Sequence, residues 1–311
     1  MLRSGIFKKA PDMSTIDLHM HSIHSADGEF TARQLLSRAS ESDLSVVAIT
    51  DHDHVSAIDE AREAGRELGI AVIPSVELNC CFCGIWLHVL GYGIDHRDSR
   101  FPALADSIDR MEEAAGVKRL QLVRAMGLHI DDKRLDAIGR RILTGEILAE
   151  VALEDPANAG SPLLLPYRSG GARDDNPFVN FYWDNCAEGK PGHVHVEYQS
   201  LASAIDLIVG TGGVPVLAHP GANLAGREEL LPEIAAAGVR GVEAFSSYHK
   251  PEQIAFWRNA AERLGLFFTC GSDFHGKTKP AVAMGRHGCE YEDEVLAALK
   301  KSLPLDSRGR F

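Results

Sequence analysis

Thr15-Ile16-Asp17-Leu18-His19-Met20-His21 alternates apolar and polar residues with a period of two. In a strand, that alternation puts Ile16, Leu18 and Met20 on one face and Asp17, His19 and His21 on the other. Two imidazoles on one strand face set the question for the rest of the chain. Working outward, Thr31 predicts an N-cap for a helix running to about Glu41. Ser45 to Thr50 reads as a short buried strand that ends at Asp51-His52-Asp53-His54. Ser56 followed by Asp59 predicts a capping box for a helix to about Leu68, closed by Gly69. Ala71 to Val76 is the next predicted strand, ending at Glu77, and Trp86 to Tyr92 is another with His88 inside it.

From about Arg100 the pattern turns helical, with a long amphipathic stretch from Phe101 to Met126 and shorter pieces from Asp131 to Leu153. Ala159 to Pro191 is rich in Gly, Pro, Asn and Arg and predicts an irregular excursion, which inside a compact fold is more often functional than accidental. Alternation then resumes. Ser200 to Val209 reads as helix, Val214 to Ala218 as strand ending at His219, and Arg227 to Ala237 as helix. Gly241 to Ala244 is a strand, Pro251 to Leu264 a helix, and Phe267 to Thr269 a strand leading to Asp273 and His275. About seven strands, mostly separated by helices and interrupted once by a helical insertion, predict an α/β barrel or a doubly wound sheet.

Composition bounds the partners. With 311 residues, 45% hydrophobic and 24% charged, the chain can bury one large core, with or without an insertion. No apolar run reaches membrane-spanning length, so no membrane partner is expected. The first residues, Met1 to Ser14, lack the apolar stretch of a secretory leader and are expected to form a loose arm. The six cysteines show no disulfide framework, which predicts a reduced, cytoplasmic protein. Cys80, Cys81 and Cys83 have no second cysteine pair at zinc-finger spacing. A net charge of -12, from 44 acidic against 32 basic residues, argues against long nucleic acid but leaves a small phosphorylated substrate open.

Most of the candidate ligands fall at or just past the carboxyl end of a predicted strand: His19, His21, His52, Glu77, His219, Asp273 and His275. Loops at that end of barrels and open α/β sheets converge on one opening. His88 joins them if its strand face points inward, and Asp27 lies in the loop after the first strand. A single such histidine would be an ordinary packed or solvated residue; the spread over many strand ends is what points to a site. Imidazole with carboxylate and no thiolate favours manganese, iron or zinc in a catalytic role over a structural zinc. One carboxylate such as Glu77 can bridge two ions, and paired ions suit phosphate esters, whose reaction spreads negative charge over several oxygens.

The runs Asp17-Leu18-His19-Met20-His21-Ser22, Thr50-Asp51-His52-Asp53, Val76-Glu77, His88-Val89-Leu90-Gly91, Ala218-His219-Pro220-Gly221 and Gly271-Ser272-Asp273-Phe274-His275 together resemble the polymerase and histidinol phosphatase (PHP) family. They stand in that family's order over roughly residues 15–95 and 195–290 and are most similar to its stand-alone bacterial phosphoesterases. The resemblance implies a distorted seven-stranded (β/α) barrel from residues 15–99 and 195–311, with residues 100–194 an inserted, mostly helical subdomain. It implies two or three divalent ions, manganese first and iron or zinc as alternatives. His19, His21, Glu77 and Asp273 would hold one, and Glu77, His88 and His219 a second, with a hydroxide between them. Asp27, His52 and His275 would hold a third.

The sequence departs from the family in two places. One extra residue between His21 and Asp27 leaves Asp27 and His24 as rivals for the third ion. Where many relatives carry an Arg and a His that grip phosphate, this chain reads Leu143-Thr144-Gly145-Glu146-Ile147. Replacement grips are Arg168, Arg173 and Lys190 from the irregular excursion, and His249 from a motif that lies near substrate in relatives. Solvated loop charge is the plain alternative for both arginines. Asp17, Asp51 and Asp53 adjoin ligands and would orient imidazoles, with Asp51 alternatively a general acid. Tyr182 and Trp183 are candidates for a wall against a base or sugar. The expected activity is hydrolysis of a small phosphate ester, a nucleotide, sugar phosphate or cyclic phosphodiester. The alternatives are an exonuclease on short oligonucleotides and a non-catalytic scaffold.

Overall fold

Ile16, Leu18 and Met20 are fully buried, and so are Asp17 and His19 between them, because both faces of the first strand are covered. The computed structural model describes residues 14–303, so residues 1–13 of the expected arm lie outside it. Ser14 itself is anchored, its hydroxyl donating to Glu292 Oε1 at 2.6 Å. The first part of the chain runs β1 (Ile16–Met20), α1 (Ala32–Glu41), β2 (Val46–Ile49), α2 (Ile58–Leu68), β3 (Ala71–Val72), β4 (Ser75–Phe82) and β5 (Ile85–Tyr92). Then come α3 (Arg100–Ala125), α4 (Asp132–Ile138), α5 (Gly145–Glu154) and α6 (Pro177–Asn185). The last part is β6 (Gln199–Ser200), α7 (Leu201–Gly210), β7 (Val214–Leu217), α8 (Pro220–Asn223), α9 (Leu231–Ala236), β8 (Gly241–Ser246), α10 (Pro251–Arg263), β9 (Phe267–Gly271) and α11 (Glu292–Ser302).

The fold is α/β with mixed sheets. One sheet is parallel, in the order β1-β2-β3; the other runs β6-β4-β5-β7-β8-β9, with β5 antiparallel to both β4 and β7. Parallel bridges pair Met20 with Phe274, just past β9, and His52, just past β2, with Glu77 in β4, tying the two sheets together. These ties matter because they place the ends of β1, β2 and β9 beside the middle of β4. Among the described residues no helix is long and apolar enough to cross a membrane.

Several local expectations need correction. Glu77 does not end a strand; it is the third residue of β4, which continues to Phe82 and turns at Cys83 and Gly84, both at positive φ, into β5. The cysteine-rich stretch hid this hairpin. The Ser56 capping box does not form, and α2 starts after Ala57 without a side-chain cap. Thr31, by contrast, makes the capping box with Gln34. The supposed irregular excursion contains α6, whose aromatic residues Phe178, Phe181, Tyr182 and Trp183 belong to a helix. The segment from α3 to α6 has its own core, with Val123, Leu148, Leu164 and Phe181 fully buried. A buried phenylalanine of this kind contributes roughly 2 to 3 kcal/mol.

Candidate metal centre

Glu77 is fully buried and sits at the centre of the imidazoles. Its Oε2 lies 3.1 Å from His19 Nε2, 3.2 Å from His21 Nε2 and 3.2 Å from His52 Nδ1. Its Oε1 lies 2.9 Å from His88 Nδ1 and 3.0 Å from His219 Nε2. Asp273 Oδ1 approaches His19 Nε2 at 3.3 Å and His21 Nε2 at 3.1 Å, and Asp27 Oδ2 approaches His275 Nε2 at 3.2 Å. Three groups have ligand atoms within 4.8 Å of one another: His19, His21, Glu77 and Asp273; His52, Glu77 and His88; and His21, His52 and His275. The chain thus brings all nine expected side chains to one place. The grouping is more shared than expected, since His52 also faces Glu77 and His21 also faces His275.

Local backbone makes this convergence possible. Asp53, His219 and Asp273, all just past strand ends, have φ of 55°, 21° and 58°. Left-handed conformations cost non-glycine residues energy, and such strain gathers at functional sites. Gly271 lets β9 reach β1, since a Cβ there would stand 2.2 Å from His19 Cβ. Gly28 does the same for the loop carrying Asp27, where a Cβ would meet the Ser22 carbonyl oxygen at 1.9 Å. That loop absorbs the extra residue, so Asp27 reaches His275 while His24 stays exposed. Arg140, after α4, latches the loop by donating from Nη1 to the Ile23 carbonyl at 2.8 Å and from Nη2 to the Gly28 carbonyl.

The residues fit divalent cations. Asp273 Oδ1, His52 Nδ1, His275 Nε2 and Asp27 Oδ1 are buried without any hydrogen-bond partner, although other ligand atoms stand close by. Polar atoms that converge without donor–acceptor alignment, in a buried place where such atoms are normally paired, are arranged for a shared cation. In three of the rings the other nitrogen is held, whereas His219 Nδ1 is buried without a partner. His19 Nδ1–H donates to Glu243 Oε1 at 2.9 Å, and His275 Nδ1–H donates to the Asp273 carbonyl at 2.9 Å. His21 Nδ1 meets Ser25 Oγ at 2.9 Å, and that hydroxyl donates to Asp51 Oδ1 at 2.9 Å. Each bond fixes a tautomer that leaves Nε2 as a free lone pair. Burial opposes charge on His21, but Asp273 and Glu77 outweigh it and raise its pKa to about 9. Burial also opposes charge on Glu77, yet His19, His88 and His52 hold its carboxyl well below the usual range. The negative field that attracts these protons attracts cations equally.

Other expected residues lie elsewhere. Asp51 is buried with its carboxylate accepting from Ser22 N–H at 2.6 Å, Ser22 Oγ at 2.6 Å and Ser25 Oγ, the hydroxyl that also meets His21 Nδ1. Asp17 and Asp53 clamp backbone amides, at Ser272 and Asn79, and touch no imidazole ring. His249 Nδ1–H donates to the Ala244 carbonyl at 2.8 Å and its Nε2 accepts from Gly221 N–H at 2.9 Å. With both nitrogens bound to backbone, it braces the turn after β7. Arg168 donates to the Leu153 and Asn158 carbonyls, Arg173 pairs with Asp184 at 3.0 Å, and Lys190 is exposed in a turn. None of Arg168, Arg173, Lys190 or His249 lines the cavity in front of the cluster.

That cavity has a volume of about 650 Å³ and opens onto His52, His88, His219 and Asp273. Its far wall carries Trp86, Tyr182, Trp183 and Tyr198. Glu146 also faces it, and burial, then the charge of Asp27, push its carboxyl up to about 7. Two residues escaped the sequence reading. Glu243 is fully buried in β8, between Val242 and Ala244. An acid inside a strand expected to be apolar was the available signal. Lys279, four residues past His275, is buried with Nζ 2.7 Å from Asp273 Oδ2.

Comparison with known proteins agrees with this geometry. The PHP domain profile matches residues 17–116. A 3',5'-nucleoside bisphosphate phosphatase of Chromobacterium violaceum is 32% identical over 270 residues, covering 85% of this chain and 88% of that protein. A 5'-3' exoribonuclease of Haemophilus influenzae is 27% identical over 262 residues, covering 83% and 89%. The solved structure of an amidohydrolase from Chromobacterium violaceum with bound sulfate and no metal superposes with a TM-score of 0.72 at 27% identity, over 95% of this chain and all of that one. The chain therefore belongs to the PHP family and is a metal-dependent phosphoesterase.

Proposed function

We propose that this phosphoesterase hydrolyses a small phosphate ester whose alcohol is a nucleoside or sugar, using two or three manganese ions, with iron or zinc as alternatives. The carrying observation is Glu77, whose two oxygens face different sets of imidazoles while the buried lone pairs of Asp273, His52 and His275 converge on the same space. His19, His21, Glu77 and Asp273 would hold one ion, Glu77, His88 and His219 a second, and Asp27, His52 and His275 a third. Ions bound there supply Lewis acidity, lowering the pKa of water and offsetting charge on the phosphoryl oxygens. The chain's own groups do the rest. Glu243 and the Ser25–Asp51 pair keep the ligand rings in register, and the Trp86, Tyr182 and Trp183 wall packs on the alcohol and excludes water.

We read β1, β2, β4, β5, β7, β8 and β9, from the described part of residues 15–99 and 195–311, as one distorted seven-stranded barrel. The bridges at Met20–Phe274 and His52–Glu77 support this, and the separate core of α3 to α6 supports residues 100–194 as an insertion. All six cysteines are free thiols, in keeping with a reducing, cytoplasmic location. The test is turnover with manganese of nucleoside monophosphates, sugar phosphates, a cyclic phosphodiester and oligonucleotides of increasing length. We expect the small esters to be the better substrates and His19→Ala, Glu77→Ala and Asp273→Ala each to lose at least about a thousand-fold in rate. Full activity in all three variants would remove the cluster from the mechanism, and a rate rising with oligomer length would make the enzyme a nuclease.

A further inference from the structure

Arg119, Arg140, Arg141 and Lys279 are the lysine and arginine side chains that border the cavity. The arginines already hold other partners, although the buried Nε of Arg119 has none. Arg140 latches carbonyls of the Asp27 loop, Arg141 pairs with Glu113, and Arg119 donates to the Leu143 carbonyl at 2.7 Å and faces Glu112. Lys279 differs in position and in what it leaves free. Its ammonium is buried, 2.7 Å from Asp273 Oδ2 and 5.1 Å from the centre of the Tyr248 ring, which in turn packs edge-on to His219 at 5.8 Å. Among the described residues Asp273 is its one hydrogen-bond partner, although an ammonium carries three donors.

Asp273 is thereby divided: Oδ1 faces His19 and His21, and Oδ2 faces Lys279. Three divalent ions on the histidine side would carry more charge than the Asp27, Glu77, Asp273 and Glu243 carboxylates offset, and the ammonium beside them would then have to share Asp273 with a cation. A phosphoryl group entering over the cluster supplies a compensating anion. We propose that Lys279 is a phosphate-binding residue, its free N–H groups holding a non-bridging oxygen of the substrate's phosphoryl group while Asp273 fixes the ammonium in place. This inference rests on the phosphoesterase reading and names the cation that it otherwise lacks at the reacting end, since Arg168, Arg173 and Lys190 lie away from the cavity.

The experiment compares wild type with Lys279→Met, Lys279→Gln and Lys279→Arg, all loaded with manganese, in three readouts. These are manganese content per chain, direct binding of inorganic phosphate by calorimetry, and KM with kcat on a nucleoside monophosphate. We expect unchanged manganese content, phosphate binding weakened about ten- to hundred-fold in Met and Gln, and partial recovery in Arg, where the charge is restored. If Met fails to fold, Gln, with similar length and no charge, carries the comparison. Loss of manganese in parallel with phosphate affinity would overturn the proposal, because Lys279 would then only be shaping Asp273. Unchanged phosphate affinity would overturn it as well. Should wild type turn over none of the esters yet bind phosphate through Lys279, the functional reading fails and this one stands.

Discussion

Replacing Glu243 with Gln is the sharpest test of how the centre is held. Its two carboxylate oxygens each accept one N–H, from His19 Nδ1 at 2.9 Å and from the His219 backbone at 2.8 Å, in a fully buried position. An amide offers one acceptor oxygen, and its NH₂ must face the second donor. One buried donor is left unsatisfied, at a cost of about 1 to 3 kcal/mol. A second route gives a similar size: partners that orient a ligating histidine are worth about ten- to hundred-fold in metal affinity, or about 1.4 to 2.7 kcal/mol. Calorimetric titration of manganese into metal-stripped protein measures this directly, and thermal unfolding in chelator separates loss of affinity from loss of fold. We expect the tightest site to weaken by that factor and Tm in chelator to fall by a few degrees. Manganese affinity within about two-fold of wild type would refute the idea that Glu243 sets the His19 tautomer.

Glu146→Gln probes the half-buried carboxyl on the cavity wall, whose pKa is raised from 4.5 to about 7. The native state holds that proton more tightly than the unfolded chain, so wild-type stability falls as pH rises from the mid-4s through 7. In metal-stripped protein the variant should gain about 3 kcal/mol over wild type at pH 8 and almost nothing near pH 4, read by urea unfolding; equal gains at both pH values would contradict the assignment. Trp183 is 41% exposed on the cavity wall, so Trp183→Ala should raise KM for a nucleoside monophosphate about five-fold or more and leave KM for glycerol phosphate unchanged. Equal KM effects on both would remove the stacking role. Gly271→Ala would place a methyl 2.2 Å from His19 Cβ and 2.8 Å from Glu243 Oε1. It should cost at least about 3 kcal/mol and bind manganese below wild-type stoichiometry, and a normally stable, fully loaded variant would show that β9 can move away from β1.

The clustering of the candidate ligands was legible because period-two alternation and strand ends are properties of sequence, and His19, His21, His52, His219, Asp273 and His275 each carry one of those signals. Glu77 was legible as a residue but not as a position. What puts it mid-strand is the hairpin with β5, in which Glu77 pairs with Leu90 and the chain turns at Cys83 and Gly84, and a run of cysteines carries no turn signal of its own. The Ala159–Pro191 stretch misled because Pro177 opens α6 at a position where proline is well tolerated, so a residue read as a breaker was a starter. The expected grips lie away from the cavity for a different reason. Arg168 and Arg173 have the right chemistry, but their nearest acceptors belong to their own segment, and only packing decides which acceptor an arginine finds. Glu243 and Lys279 were missed because the first is hidden in an apolar run and the second follows the last motif without belonging to it.

The Arg140 latch joins events that look separate. The guanidinium stems from the helical segment that also bears Trp183, yet it grips carbonyls on both sides of Asp27. Any displacement of that segment by an occupant must therefore tug on Asp27, the proposed ligand of a third cation, and a cation bound there would steady the wall against which the occupant rests. Linkage makes the two effects equal in free energy. We expect manganese titrations run with and without a nucleoside to differ for one ion and agree for the others, and identical curves would show that the latch transmits nothing.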